Sequence, residues 1–172
     1  AQPDEGRHHL RFSQFWQHAH RCAALAREIA KAIGYAYPHE AYLAGLLHDI
    51  GKLLMWTNFP QTCSFYFDRG NRKSQVQKKE WGLFGTTHSE IGANFLAELN
   101  LPSFFTDAVR FHHRPPAEII NSLPLVRIVY AANVMIDANL SGGGLTALAA
   151  VLSSRLDPSG LAADATLAPP GT

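Results

Sequence analysis

Nine of the 172 residues are histidine, and where they sit suggests chemistry. Imidazole is the commonest metal-ligating side chain and the one that titrates near neutral pH. Five of the nine, His18, His48, His88, His112 and His113, lie at the edges of apolar helical segments rather than in polar loops. His48 is followed by Asp49 inside the run Leu46-Leu47-His48-Asp49-Ile50-Gly51-Lys52-Leu53-Leu54. A carboxylate in such a run is costly to bury unless it is paired or metal-bound. Neutral imidazoles together with a carboxylate suit one or two divalent ions such as Fe, Mn, Ni or Zn. Adjacent His112 and His113 cannot point the same way from a straight helix, but from a helix end they can straddle one pocket.

Each of these residues alone has a plainer reading. A single half-buried histidine such as His18 is more often a hydrogen-bonded core group than a ligand, and an isolated His-Asp dipeptide says almost nothing. Five histidines spread over four helices, with one HDxGK run, are jointly far more specific. His8 and His9 in the polar N-terminal stretch, His20 on a different face from His18, and His39 in a first helical turn read as surface residues. Glu80 reads as a surface carboxylate, with a role in orienting a histidine as the alternative.

The elements that must position these groups all read as helices. Apolar residues recur at helical spacing over residues 12–33, and Gly34 supplies a stop. Pro38 opens a helix expected to run to about Trp56. Short helices are expected over 60–68 and 74–81. Thr87 is a good N-cap for a helix over 88–99, with Glu90 completing a capping box. Pro102 opens a helix carrying Phe105, Ala108, Val109 and His112 on one face. Pro124 opens a strongly apolar helix to about Leu140, and 145–156 reads as a last amphipathic helix. No hairpin signal or internal repeat occurs. The expectation is an all-α bundle of about six to eight helices over residues 12–156, with a flexible N-terminal segment over 1–11 and a disordered Pro/Gly/Ala-rich tail over 157–172.

Composition narrows the function. A formal net charge of +1 gives no global basic field for nucleic acid or membrane. The cluster Arg69, Arg72, Lys73, Lys78 and Lys79 reads as a solvated face, or as a device that steers an anionic substrate, since no aromatic residues interleave it. Cys22 and Cys63 form no CxxC pair and read as reduced thiols. No segment has the length of a membrane helix, and the N-terminus lacks a signal peptide's apolar core. A cytoplasmic location is therefore expected.

Two longer runs carry a resemblance. Residues from Trp16-Gln17-His18 to Arg21 and from Ala41 through His48-Asp49-Ile50-Gly51-Lys52 resemble the HD superfamily of metal-dependent phosphohydrolases. Glu80, Phe84-Gly85-Thr86-Thr87-His88-Ser89-Glu90-Ile91-Gly92, Leu101-Pro102 and Phe111-His112-His113-Arg114-Pro115 are similar to the HDOD branch, the HD-related output domain of bacterial signalling proteins. The resemblance covers about residues 12–140. It implies a metal site between helices, with His18, His48 and Asp49 as first ligands and Asp49 able to bridge two ions. It implies His88, His112 and His113 as ligands of a second ion, and Lys52 as the catalytic partner of Asp49 that faces substrate phosphate. The substrate class implied is a nucleotide-like phosphoester.

The chain departs from the family pattern in three places. Asn133 stands where the superfamily has a last aspartate ligand; its amide can ligate but brings no charge. Asp137, a turn further on, is not expected to reach the same ion. The residues after His113 lack the GYP motif of cyclic-di-GMP phosphodiesterases. The helical lobe that precedes the His18 helix in complete HDOD domains is missing, and the chain does not open on Met, which suggests a fragment or a shortened relative. Two functions stay open: a metal-dependent phosphohydrolase or phosphodiesterase, and a catalytically silent signalling module that acts through protein partners. Histidines with a merely structural role are the third reading.

Overall fold

The computed structural model describes residues 3–67 and 73–137. These residues form an all-α fold, and no strand occurs among them. The order is α1 (Pro3–Ala32), α2 (Pro38–Leu47), α3 (Ile50–Asn58), a short 3-10 helix (Thr62–Phe67), α4 (Lys73–Phe84), α5 (His88–Glu98), α6 (Ser103–Phe111), α7 (Pro116–Ile119) and α8 (Pro124–Asp137). No described helix is long and apolar enough to cross a membrane.

Helix α8 is the hub. Leu125, Val126, Ile128, Val129, Ala131 and Ala132 are all buried, so the helix is apolar around most of its circumference. Helices α1, α2 and α6 pack against it. Their contact faces are built largely from small residues, including Ala26 and Ala30 of α1, Ala41 and Ala44 of α2, and Ala108 of α6. Small side chains let helix axes approach closely, which draws the middle of α1 and the C-terminal ends of α2 and α6, where the histidines lie, together. Helix α5 packs on α3 and α6 and closes the other side.

Several local signals act as read. Gly34 takes a left-handed φ of 73°. Tyr35 N donates to Ala30 O at 2.8 Å and Gly34 N donates to Lys31 O at 3.2 Å, the paired bonds of a Schellman stop for α1. The Thr87 side chain accepts from Glu90 N and caps α5. The expected capping box is only half made, because the Glu90 carboxylate goes to Arg110 of α6 rather than back to Thr87 N, and ties α5 to its neighbour.

Other boundaries differ. Helix α1 takes in residues 3–11, which lie ahead of the periodic apolar stripe. The single helix expected from Pro38 to about Trp56 is two helices, broken at His48-Asp49. The short segment after Asn58 is a 3-10 turn, α4 continues to Phe84, and the double proline after Arg114 starts the one-turn helix α7 rather than only ending α6. The expected helix over 145–156, the Gly-rich break before it and the tail over 157–172 lie outside the described residues, as do Arg69 and Arg72 of the basic cluster.

Candidate metal centre

Four helix ends meet at Asp49. The break between α2 and α3 is what aims His48 and Asp49 together. In a continuous helix, successive side chains diverge by about 100°. Here His48 closes α2 in helical geometry (φ −54°, ψ −33°) and Asp49 turns away (φ −103°, ψ 11°), so both side chains enter one pocket. Asp49 occupies the N-cap position of α3, where an aspartate ordinarily bonds the first free amides. Its side chain makes no such bond, and the carboxylate is left for the site.

The two oxygens of Asp49 face different partners. Oδ2 lies 2.7 Å from Lys52 Nζ, 3.4 Å from His48 Nε2 and 3.6 Å from His18 Nε2. Oδ1 lies 3.3 Å from His88 Nε2 and 3.4 Å from His112 Nε2. His18 comes from the middle of α1, His88 from the first position of α5, and His112 and His113 from the C-terminal end of α6. The rings of His112 and His113 lie 4.0 Å apart, and His113 Nε2 is 3.1 Å from His88 Nε2. All six predicted His/Asp ligands thus converge on one centre. Their donor atoms gather into two groups, His18/His48/Asp49 and Asp49/His88/His112/His113, each within 4.8 Å.

The ring nitrogens facing away from the centre are fixed. His48 Nδ1 donates to Gly45 O at 2.7 Å, and His112 Nδ1 donates to Val109 O at 2.5 Å. His88 Nδ1 donates to Glu80 Oε1 at 2.7 Å and lies 2.9 Å from Oε2. Each of these rings therefore carries its proton on Nδ1 and presents an Nε2 lone pair inward, as a metal-ligating histidine requires.

Glu80 corrects the sequence reading. It is fully buried rather than a surface carboxylate. It also accepts from the backbone N of His88 at 3.1 Å, so it satisfies the first amide of α5 and orients the imidazole of the same residue. Tyr66 OH donates to Glu80 Oε1 at 2.7 Å. Burial opposes the charged form of Glu80, but the bonds from His88 and Tyr66 outweigh it and hold the carboxyl below its usual range. Burial and the neighbouring Glu80 push the Tyr66 hydroxyl well above its usual range. Sequence reasoning missed Tyr66, which no motif marks. Glu80 was hidden because α4 reads Lys78-Lys79-Glu80, a solvated charge run, and the eight-residue gap to His88 is not a helical spacing.

Gly51 explains the close seating of α3 on α5. A Cβ there would lie 1.9 Å from His88 O. Any side chain would push α5 away and carry His88 off Asp49.

Electrostatics agree with a cation site. Burial opposes the charge on Asp49, yet Lys52, His48, His112 and His88 hold its carboxyl well below the usual range. Burial pushes His112 down to about 4 and His48 well below the usual imidazole value. The centre thus offers one ionised carboxylate beside His48 and His112, both held as neutral imidazoles. Asp49 Oδ1 and His112 Nε2 are buried and have no hydrogen-bond partner of acceptable geometry. An unmet carboxylate oxygen facing an unmet imidazole nitrogen costs stability in an apolar interior, and a divalent ion would satisfy both. The residues present fit the metal that the donor set implies.

On the other side of Asp49 the site opens into a cavity of about 210 Å³ lined by Gln14, Phe15, His18, Asp49, Lys52, Tyr66 and Asp137. Helix α8 enters this wall through Asp137, whose Oδ1 is 3.9 Å from His18 Nδ1. Asp137 therefore reaches the site, on the far edge of the His18 ring from Asp49. Asn133, a turn earlier, is fully buried on the same helix.

The HDOD domain family model matches residues 2–115. No match is found among curated proteins. Among solved structures, the fold is similar to an HDOD domain protein of unknown function from Geobacter sulfurreducens, at 23% identity and a TM-score of 0.64 over 80% of this chain and 52% of that one. It is similar to a candidate phosphohydrolase from Shewanella amazonensis, at 25% identity and a TM-score of 0.60 over 72% and 46% of the two chains. It is also similar to the MmoQ response regulator from Methylococcus capsulatus, at 23% identity and a TM-score of 0.66 over 89% and 62%. The chain spans about half the length of the first two of these proteins.

Proposed function

This chain belongs to the HDOD domain family, and from that premise we propose that it is a bacterial signalling domain whose His/Asp pocket holds one or two divalent metal ions and hydrolyses a nucleotide-like phosphoester. The observation that carries the reading is the split carboxylate. Each oxygen of Asp49 faces its own histidine set, and Oδ1 is buried without a hydrogen bond. His18, His48 and Asp49 would hold one ion, and Asp49, His88, His112 and His113 a second. A divalent ion bound there supplies Lewis-acid charge for phosphoryl oxygens and acidifies water.

The chain's own residues do the rest. Glu80, Gly45 O and Val109 O fix the ring tautomers, so the Nε2 lone pairs are preorganised. Lys52 lines the cavity beside Asp49, where its ammonium meets the charge of an entering phosphate. Phe15 and Tyr66 give the wall an aromatic lining suited to the apolar part of a nucleoside. At about 210 Å³ the cavity is smaller than the roughly 300–1,000 Å³ of sites for drug-sized ligands. It suits a phosphoryl group and its immediate substituent, with the remainder of the substrate outside.

A second reading is a catalytically silent module that signals through protein contacts. It is favoured by Asn133, which brings no charge to α8 where the superfamily resemblance implies an aspartate.

Elemental analysis of tag-free protein, followed by hydrolysis of bis(p-nitrophenyl) phosphate and nucleotide phosphoesters with Fe, Mn, Ni or Zn, separates the readings. The expected result is about one or two ions per chain and turnover, both lost in the His48→Ala/Asp49→Ala double variant. Bound metal without turnover on any phosphoester would leave the silent module. Absence of metal after reconstitution would sink the hydrolase.

A further inference from the structure

The histidines of the centre differ in what holds the nitrogen that faces away from Asp49. His48 and His112 lean on backbone carbonyls, and His88 leans on the buried carboxylate of Glu80. His18 has Asp137, whose Oδ1 lies 3.9 Å from Nδ1 while Nε2 points at His48 and Asp49. Asp137 is not part of either donor group. It lies behind the ring, on the wall of the cavity that opens beside Asp49. Its side chain is 33% exposed and that of His18 is 24% exposed.

We propose that Asp137 is the positioning residue for His18: it accepts from Nδ1–H, fixes the tautomer that leaves Nε2 as a ligand, and so sets the metal affinity of the His18/His48/Asp49 half of the centre. The inference rests on the metal-centre reading above. A carboxylate behind a ligating imidazole fixes the ring and raises its basicity. A neutral asparagine at 133 leaves Asp137 as the carboxylate that α8 contributes to the cavity wall. The separation of 3.9 Å is an ion-pair distance, longer than a hydrogen bond, between two partly exposed side chains. Within this half, His48 is held by the Gly45 carbonyl and His18 faces a partly exposed side chain, whereas the other half has Val109 O and the buried Glu80 behind His112 and His88.

The test is zinc titration of the full chain by calorimetry, comparing wild type with Asp137→Leu and Asp137→Asn, with thermal melts to verify folding. In wild type, two zinc sites of unequal affinity are expected. In Asp137→Leu the weaker site should lose about ten-fold or more in affinity and the tighter site should not move. Asp137→Asn keeps an acceptor oxygen and should fall between wild type and the leucine variant. Two zinc sites unchanged in Asp137→Leu would overturn this inference alone. A loss as deep in Asp137→Asn as in Asp137→Leu would also overturn it, because the charge rather than the acceptor would then be what the ion needs. A wild type that takes up no zinc would overturn the metal-centre reading itself and this inference with it.

Discussion

The two sides of Asp49 are built differently. On the Oδ1 side, His88 and His112 are fully buried, and their Nδ1 atoms are held by Glu80 and by Val109 O. On the Oδ2 side, His48 is fixed by Gly45 O, but His18, Lys52 and Asp137 all reach solvent through the cavity. The inner side is preorganised by helix ends and a buried hydrogen-bond chain, in surroundings where electrostatic interactions are strong. The outer side is adjustable and lies where a substrate would enter. If ions occupy both sides, the inner one is expected to be retained more tightly and the outer one to exchange with the medium.

The sharpest way to break this comparison is to remove the residue both sides share. Asp49→Ala should abolish metal uptake at both sides, whereas His112→Ala should cost the inner ion and leave the outer one, as read by metal stoichiometry. Equal losses in the two variants would mean that the sides are not separate. Because such groups act as a unit, phosphoester turnover should fall by orders of magnitude in either variant.

A smaller effect is expected behind His88. Glu80→Gln should weaken the inner site by about 10- to 100-fold in zinc titration, with the outer site unmoved. Tyr66→Phe should weaken it by less, since Glu80 keeps both of its bonds from His88. A larger loss for Tyr66→Phe than for Glu80→Gln would reverse the order of the chain.

The smallest effect is a pH slope in the presence of chelator. Burial holds His112 down to about 4 and depresses His48 as well, while an unfolded imidazole titrates near about 6.5. As pH falls below that value the unfolded chain takes up protons that the folded chain does not, so stability is full above it and declines toward pH 4. The slope approaches about 1.4 kcal/mol per pH unit for each such histidine. Thermal melts from pH 7.5 to 5 should show Tm falling, and His112→Gln should flatten the fall. An unchanged slope in that variant would place the buried protonation elsewhere.

Much of the fold was legible in residue spacing. The stop at Gly34, the Thr87 cap and the proline-led starts of α2 and α8 are local events, decided by backbone conformation and by the nearest amides. The five histidines and Asp49 stood out because imidazole and carboxylate are expensive at the edges of apolar helices. The break at His48-Asp49 was not legible, since the apolar pattern runs through it without a proline and Asp49, a residue type suited to an N-cap, was read as a ligand. Tyr66 was not legible as a site residue, and Glu80 and Asp137 were weighed but set aside, as a surface carboxylate and as a residue too far along α8. Each sits in locally ordinary surroundings, and each acquires a role only from a partner 8 to 119 positions away.

The sequence by itself determined an all-α chain and the set of groups that meet at its centre, because helical periodicity and the chemistry of His and Asp are properties of short segments. Only the tertiary structure decided how the groups are shared and held. It gave Asp49 two faces, seated Gly51 against His88 O, turned Glu80 inward and stood Asp137 behind His18. Those outcomes depend on how closely α1, α3, α4, α5, α6 and α8 approach one another, and close approach is set by packing between segments distant in the chain.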